Sequence, residues 1–307
     1  MNKITNQIVI ETANQIGFDL VGFSKVITLE DEYFLLESWL KNNFQAGMFY
    51  MAQNNEKRRD VKKIFPEAKS VISLGVNYYK NYNFEIKDSN CGKVSRYAWG
   101  KDYHKVIAKM LKKFESTLKS IDNNFKSKSY VDTGPVMDKV WAVRSGLGWM
   151  GKHTNIINRE IGSWFFIANV FCNIEFEYSK PIVDHCGSCN ACIDACPTEA
   201  IVVPYVVDSN KCISYQTIEN KGDISVQLKN KFDNWAFGCD ICQDVCPWNH
   251  KFSKESKIEE FEPQNLYLKA EDFSKMTQED FNIKFKDSPI KRSKLSGIRR
   301  NLSFLFD

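Results

Sequence analysis

Cys186-Gly-Ser-Cys189-Asn-Ala-Cys192-Ile-Asp-Ala-Cys196-Pro197 spaces four cysteines by two, two and three residues ahead of a proline. Bacterial ferredoxins ligate 4Fe-4S clusters with such a run. Fifty residues on, Cys239, Cys242 and Cys246-Pro247 repeat Cys189, Cys192 and Cys196-Pro197 in register, with Ala236 where a first cysteine would stand. Cys212, between the runs, brings the thiolates to eight, the number that two cubanes require. In two-cluster ferredoxins the fourth cysteine of each run crosses to the other cluster. One site is therefore expected from Cys186, Cys189, Cys192 and Cys246, and a second from Cys196, Cys212, Cys239 and Cys242. C-x2-C pairs also build zinc ribbons, but a repeated 2-2-3 run followed by proline favours iron-sulfur. Cys91 and Cys172 lie outside the pattern and are left without a ligand role; lone apolar-flanked cysteines are usually buried small hydrophobes.

Around this region the composition is that of a folded protein: 307 residues, 43% hydrophobic and 26% charged. Such a length predicts two or three units. We expect boundaries at 1–180, 181–255 and 256–307, the first near Tyr178-Ser-Lys-Pro181. Helices are predicted at Lys3–Gly17 and Lys105–Ile121, the latter from apolar residues at spacings of three and four. Strand-like runs at Ser70–Val76, Ser129–Val131 and Ser163–Phe171 alternate with them, so an α/β layer is expected in an overall α+β or α/β chain. That segment is larger than an electron carrier needs. The longest apolar stretches, Trp164–Phe171 and Ala200–Val207, are shorter than the roughly 18 residues of a membrane span, and no apolar run follows Met1-Asn-Lys3. The expectation is a cytoplasmic monomer.

The net charge of +4 is too small to name a partner. Its distribution says more, because Lys284, Lys286, Lys291, Arg292, Lys294, Arg299 and Arg300 face one acid, Asp287. The stripe reads either as a phosphate-backbone footprint or as a solvated helical face. Gly146-Leu-Gly148-Trp-Met-Gly151 matches a dinucleotide fingerprint, but a helical pattern precedes it and no helix follows, which argues against a nicotinamide site. Its glycines would instead let backbone approach a large ligand, with Lys152, His153 and Asn155 as polar contacts. Tyr130-Val-Asp132-Thr-Gly-Pro135 puts a carboxylate at a strand end, where an Asp either caps a following helix or serves chemistry.

Val131-Asp-Thr-Gly-Pro135, Ala142-Val-Arg-Ser-Gly-Leu-Gly-Trp-Met-Gly-Lys152, Gly162-Ser-Trp-Phe-Phe166 and Cys212-Ile-Ser-Tyr-Gln-Thr-Ile-Glu219 together resemble the epoxyqueuosine reductase family. So do Arg58-Arg59-Asp60, Arg96-Tyr-Ala-Trp-Gly-Lys-Asp-Tyr-His104, Ser288-Pro-Ile-Lys-Arg292 and Arg299-Arg-Asn301, so the resemblance spans nearly the whole chain. It implies cobalamin-dependent reduction of epoxyqueuosine to queuosine at the wobble position of tRNA. The alternative is a reductive dehalogenase-like enzyme acting on a small molecule.

The resemblance further implies a cobalamin domain similar to that of reductive dehalogenases, then a ferredoxin-like two-cluster domain and a short helical basic tail. Asp132 would be the general acid, its pKa raised by burial against the corrin. Arg59, Tyr97, Trp99, Asp132, Lys152, Asn155, Ser214 and Asp240 would contact the cofactor, although Tyr97 and Trp99 read equally as core aromatics. Asp102-Tyr-His104 begins like a cobalt-binding D-x-H-x-x-G signature, but Ile107 replaces its glycine, so base-off cobalamin without a histidine ligand is expected. Tyr103 and His104 would touch the substrate base, and Lys221, Lys291, Arg292, Arg299 and Arg300 the tRNA backbone. Many family members continue into a helical-repeat extension that this chain does not show, which would shift phosphate contacts onto the basic tail. An external low-potential electron donor completes the set.

Overall fold

The computed structural model describes residues 3–82 and 90–307. Asp102 decides where its longest helix begins: its carboxylate accepts the His104 amide, so Tyr103–Ile121 starts ahead of the predicted Lys105. Tyr103, Ile107, Leu111, Phe114 and Leu118 form one buried stripe. They pack with Val9 and Ala13 of helix Asn6–Ile16 against Ile72, Leu74 and Val76 of the central sheet. Each such side chain contributes roughly 1.5–3 kcal/mol by leaving water.

That sheet runs Leu20–Lys25, Ser70–Asn77, Phe165–Cys172, Ser127–Tyr130, and every neighbouring pair is antiparallel. The expected α/β layer is therefore corrected to α+β, because the sheet contains no parallel pair for a helical crossover to join. Ser70–Asn77 is buried along its whole length, as Val71 on its other face meets Val136 and Trp141.

A second, three-stranded sheet pairs Cys91–Val94 in parallel with Trp235–Phe237 and antiparallel with Tyr267–Lys269. Segments from all three stretches expected as separate units thus share one sheet. Ala236, at the position of the repeat's absent cysteine, is fully buried in it, and a Cβ on Gly92 would come within 2.3 Å of the Ala236 Cβ. The tail is helical as expected: Lys294–Phe306 lays Leu295, Ile298 and Leu302 into a core shared with Val94, Phe237 and Phe285.

The glycine-rich segment folds on itself. Trp149–Met150 pairs with Ile156–Ile157, and a Cβ on Gly148 would lie 2.2 Å from the Ile157 carbonyl oxygen. Its glycines serve this hairpin rather than a dinucleotide. Among the described residues no helix is long and apolar enough to cross a membrane.

Candidate active site

The short helices Ala191–Asp194 and Ile241–Asp244 pack against each other and carry the two cysteine runs. Cys186, Cys189, Cys192 and Cys246 surround a cavity of about 210 Å³. Cys196, Cys212, Cys239 and Cys242 line a larger cleft of about 420 Å³. We call these the outer and inner sets, because Cys189 of the first is solvent-exposed whereas no thiol of the second is. Burial raises the thiol pKa values of Cys239 and Cys242, and neighbouring thiolates raise them further; it likewise pushes Cys192 up to about 11. Such sulfurs become thiolates only beside a cationic centre. Among the described residues no three His, Cys, Asp or Glu side chains converge as a single ion requires. A thiol set spread around a cavity suits a cubane better than the tight tetrahedron of zinc.

The cleft also receives the start of helix Tyr103–Ile121. The Tyr103 hydroxyl donates to Asp132 Oδ2 at 2.6 Å, and its ring stacks on Phe166 at 4.1 Å and on His104 at 4.0 Å. His104 shares Nδ1 with Asp102 at 2.8 Å and presents Nε2 to Asp132 Oδ2 at 3.6 Å. Burial alone would lower the His104 pKa, but the two carboxylates outweigh it and hold the ring near 9. Burial likewise pushes Asp132 upward, yet its contacts with His104 and Tyr103 win and its pKa falls below the usual carboxylate value. Without a corrin against it the shift of Asp132 runs downward, and at neutral pH the proton of this pair favours His104. Asp132 itself adopts a left-handed backbone (φ 55°) and caps no helix, since Asp138–Arg144 opens at Met137 without a side-chain cap.

A second carboxyl, unrecognised in the sequence, lines the same cleft. Asp138 accepts from Asn169 Nδ2 at 2.7 Å, and burial, reinforced by the Asp132 charge, pushes its pKa up to about 7. Asn169 in turn accepts from Ser73, whose hydroxyl bonds Ser145 and, beyond it, Ser24, a buried polar chain beneath the cleft. The neighbouring Lys139 donates to Thr154 O and Asn155 Oδ1.

Of the expected cofactor contacts, Tyr97, Asp132, Asn155 and Ser214 line the cleft. The other four do not. Arg59 pairs with Glu30 at the surface and lies over Tyr33. Trp99 is a core side chain whose indole donates to Val94 O. Lys152 donates to Gly187 O, Cys189 O and Asn190 Oδ1, which fastens the outer-set loop. Asp240 is buried against Ser95 and Arg96. In each of the four the polar atoms are bound by protein.

The basic residues divide similarly. Arg299 donates to Phe273 O, Ser274 O and Met276 O, and Arg300 to Gln216 O, Asn220 O and Gly222 O. Both clamp backbone carbonyls and anchor the tail. Lys221 donates to Ile218 O, while Lys291 is exposed. Arg292 pairs with Glu219 within electrostatic reach of Asp132.

Comparison with known proteins follows this geometry closely. Residues 58–133 match the family model "Epoxyqueuosine reductase QueG, DUF1730", and residues 185–249 that of a "4Fe-4S double cluster binding domain". The chain is 46% identical over 295 residues to an epoxyqueuosine reductase of Cellulophaga algicola, covering 95% of each chain. To that of Leadbetterella byssophila it is 47% identical over 293 residues, again with 95% of each covered. A solved epoxyqueuosine reductase in complex with an epoxyqueuosine-modified tRNA-Tyr stem loop superposes with a TM-score of 0.92 at 32% identity, over 97% of this chain and 80% of that one. The Bacillus subtilis enzyme, with its catalytic aspartate loop swung out of the active site, gives 0.91 at 31%, with the same coverage. On this similarity along almost its whole length, the chain belongs to the epoxyqueuosine reductase family.

Proposed function

We propose that this enzyme reduces epoxyqueuosine to queuosine in tRNA, with the chemistry confined to the cleft shared by Asp132 and the inner thiols. The carrying observation is that one cavity wall holds an acid relay and four cysteines of a double-cluster domain. The overall reaction takes two electrons and two protons, breaks both C–O bonds of the epoxide, and releases its oxygen as water from the new alkene.

The cleft lining fits cobalamin in kind: Phe165, Phe166 and Ile213 offer apolar surface, and Ser163, Asn155, Thr198 and Ser214 offer partners for carboxamide arms. Tyr97, Asn155 and Ser214 would hold it, base-off. When bound, cobalamin supplies a low-potential centre able to reduce the epoxide carbon. The outer and inner thiol sets would hold the two cubanes, which would supply single electrons from an external donor to the cleft. The proton held on His104 would reach the epoxide oxygen by way of the Asp132 carboxylate. His104, charged through neutral pH, and the Tyr103 hydroxyl keep Asp132 supplied and oriented. The left-handed backbone at Asp132 and the swung-out aspartate loop of the Bacillus subtilis relative support a loop that moves as RNA arrives. Arg292 and Lys291 offer charge to the RNA backbone.

Turnover tests the reading: protein loaded anaerobically with iron, sulfide and cobalamin, given a low-potential reductant and epoxyqueuosine-bearing tRNA, should yield nucleosides lighter by one oxygen atom. Full cofactor loading without conversion of the tRNA would instead favour reduction of a small molecule.

A further inference from the structure

His153 belongs to both cavities: it lines the outer-set pocket and the active-site cleft, so its ring stands in the partition between the two thiol sets. It is 4% exposed. The Asn155 amide donates to His153 Nδ1 at 3.1 Å, so Nδ1 carries no proton and the neutral ring must bear its hydrogen on Nε2. That Nε2 is buried and has no hydrogen-bond partner among the described residues. A buried donor left unpaired is costly, and one that also borders two cavities calls for a partner within them. The turn that fixes the ring is itself strained, since Thr154 is a β-branched residue held at φ 66°. Lys139 bonds Thr154 O and Asn155 Oδ1 and pins that turn.

We infer that His153 is a positioning residue that donates its Nε2 hydrogen to a sulfur of one of the two iron-sulfur clusters. The inference rests on the double-cluster reading above. A hydrogen bond to sulfur stabilises the more negative, reduced cluster and raises its potential. At the partition, such a bond sets the step between the two cubanes and therefore the direction in which an electron rests.

The test is a redox titration followed by electron paramagnetic resonance, on wild type and on His153→Leu and His153→Gln, each loaded to eight irons. The leucine variant should move one cluster's midpoint to more negative potential, by about tenfold in its reduction equilibrium or about 59 mV for one electron, and leave the other in place. Glutamine, which keeps a donor, should restore most of the shift. Two unmoved midpoints in a fully loaded leucine variant would overturn the inference while leaving the clusters established. Absence of cluster signals in wild type would instead overturn the double-cluster reading. If the leucine variant does not load, pulsed resonance on ¹⁵N-histidine protein carrying His185→Phe decides, because only His153 and His185 among the four histidines line either cavity. A coupled ¹⁵N supports the bond, and its absence would point to the organic cofactor as the partner of Nε2.

Discussion

The two thiol sets share a sequence grammar but not an environment. The outer set closes a small cavity, exposes Cys189 and is fastened by Lys152 across its loop. The inner set opens into the large cleft with Asp132 and Asp138 and includes Cys212, while Ala236, at the position matching the other run's first cysteine, packs against Gly92. A duplicated motif has thus been divided between a small cavity open at Cys189 and a large cleft shared with two carboxylates.

Removing one thiol from each set breaks this comparison most severely. Cys242→Ala should lose the irons of the inner site and abolish conversion with any reductant. Cys192→Ala should lose the outer irons yet retain some turnover, on the order of 1% of wild type, when a small reductant can reach the cleft. Equal loss in both, read by iron analysis beside turnover, would erase the distinction.

Asp132→Asn acts on the inner face alone and should keep eight irons while slowing conversion by about 10²–10⁴. Single-turnover rates measured with pre-reduced protein would separate this from an electron-delivery defect.

Tail anchoring sharpens the asymmetry by a smaller amount. Arg300→Ala unbinds three carbonyls, including Gln216 O on the helix that follows Cys212, and should cost about 2–3 kcal/mol of stability, seen as a lower melting temperature. The inner irons should leave first on mild heating.

The remaining effects concern pH and salt. Asp138 has a folded pKa of about 7, above its unfolded value, so its contribution to stability is full at acid pH and is lost as pH rises toward 7. Asp138→Asn should therefore gain on wild type, by about 2–3 kcal/mol, between pH 5 and pH 8 in thermal unfolding. His104 follows the same sign, with its contribution lost as pH passes about 9. Lys291→Ala should reduce the salt slope of tRNA binding by about one phosphate contact, whereas Arg299→Ala should leave that slope alone.

Cysteine spacing made the two thiol sets legible in the sequence, because ligand geometry constrains the chain over a few residues. The long helix and the central strands were legible for the same local reason. What the sequence hid was partnership at a distance. Lys152 and Asp240 carry charges suited to a cofactor, yet Gly187, Cys189, Ser95 and Arg96 claim them. Arg299 and Arg300 read as one basic stripe with Lys291, although two of the three are consumed by backbone carbonyls. Asp138 drew no notice because only the fold brings Asn169 to it and encloses it beside Asp132. The sign of the Asp132 shift was missed because it depends on His104, which a capped helix start delivers from 28 positions away.

The parallel pairing of Cys91–Val94 with Trp235–Phe237 has a consequence for biogenesis. While the chain is still emerging from a ribosome, the early strand waits for residues made more than a hundred codons later. Each thiol set likewise mixes ligands from both runs, so neither is complete until the chain has emerged beyond Cys242 or Cys246. Iron delivery must therefore meet a chain already made past its second cysteine run, and a chaperone that shields the waiting thiols from oxidation would act during that interval.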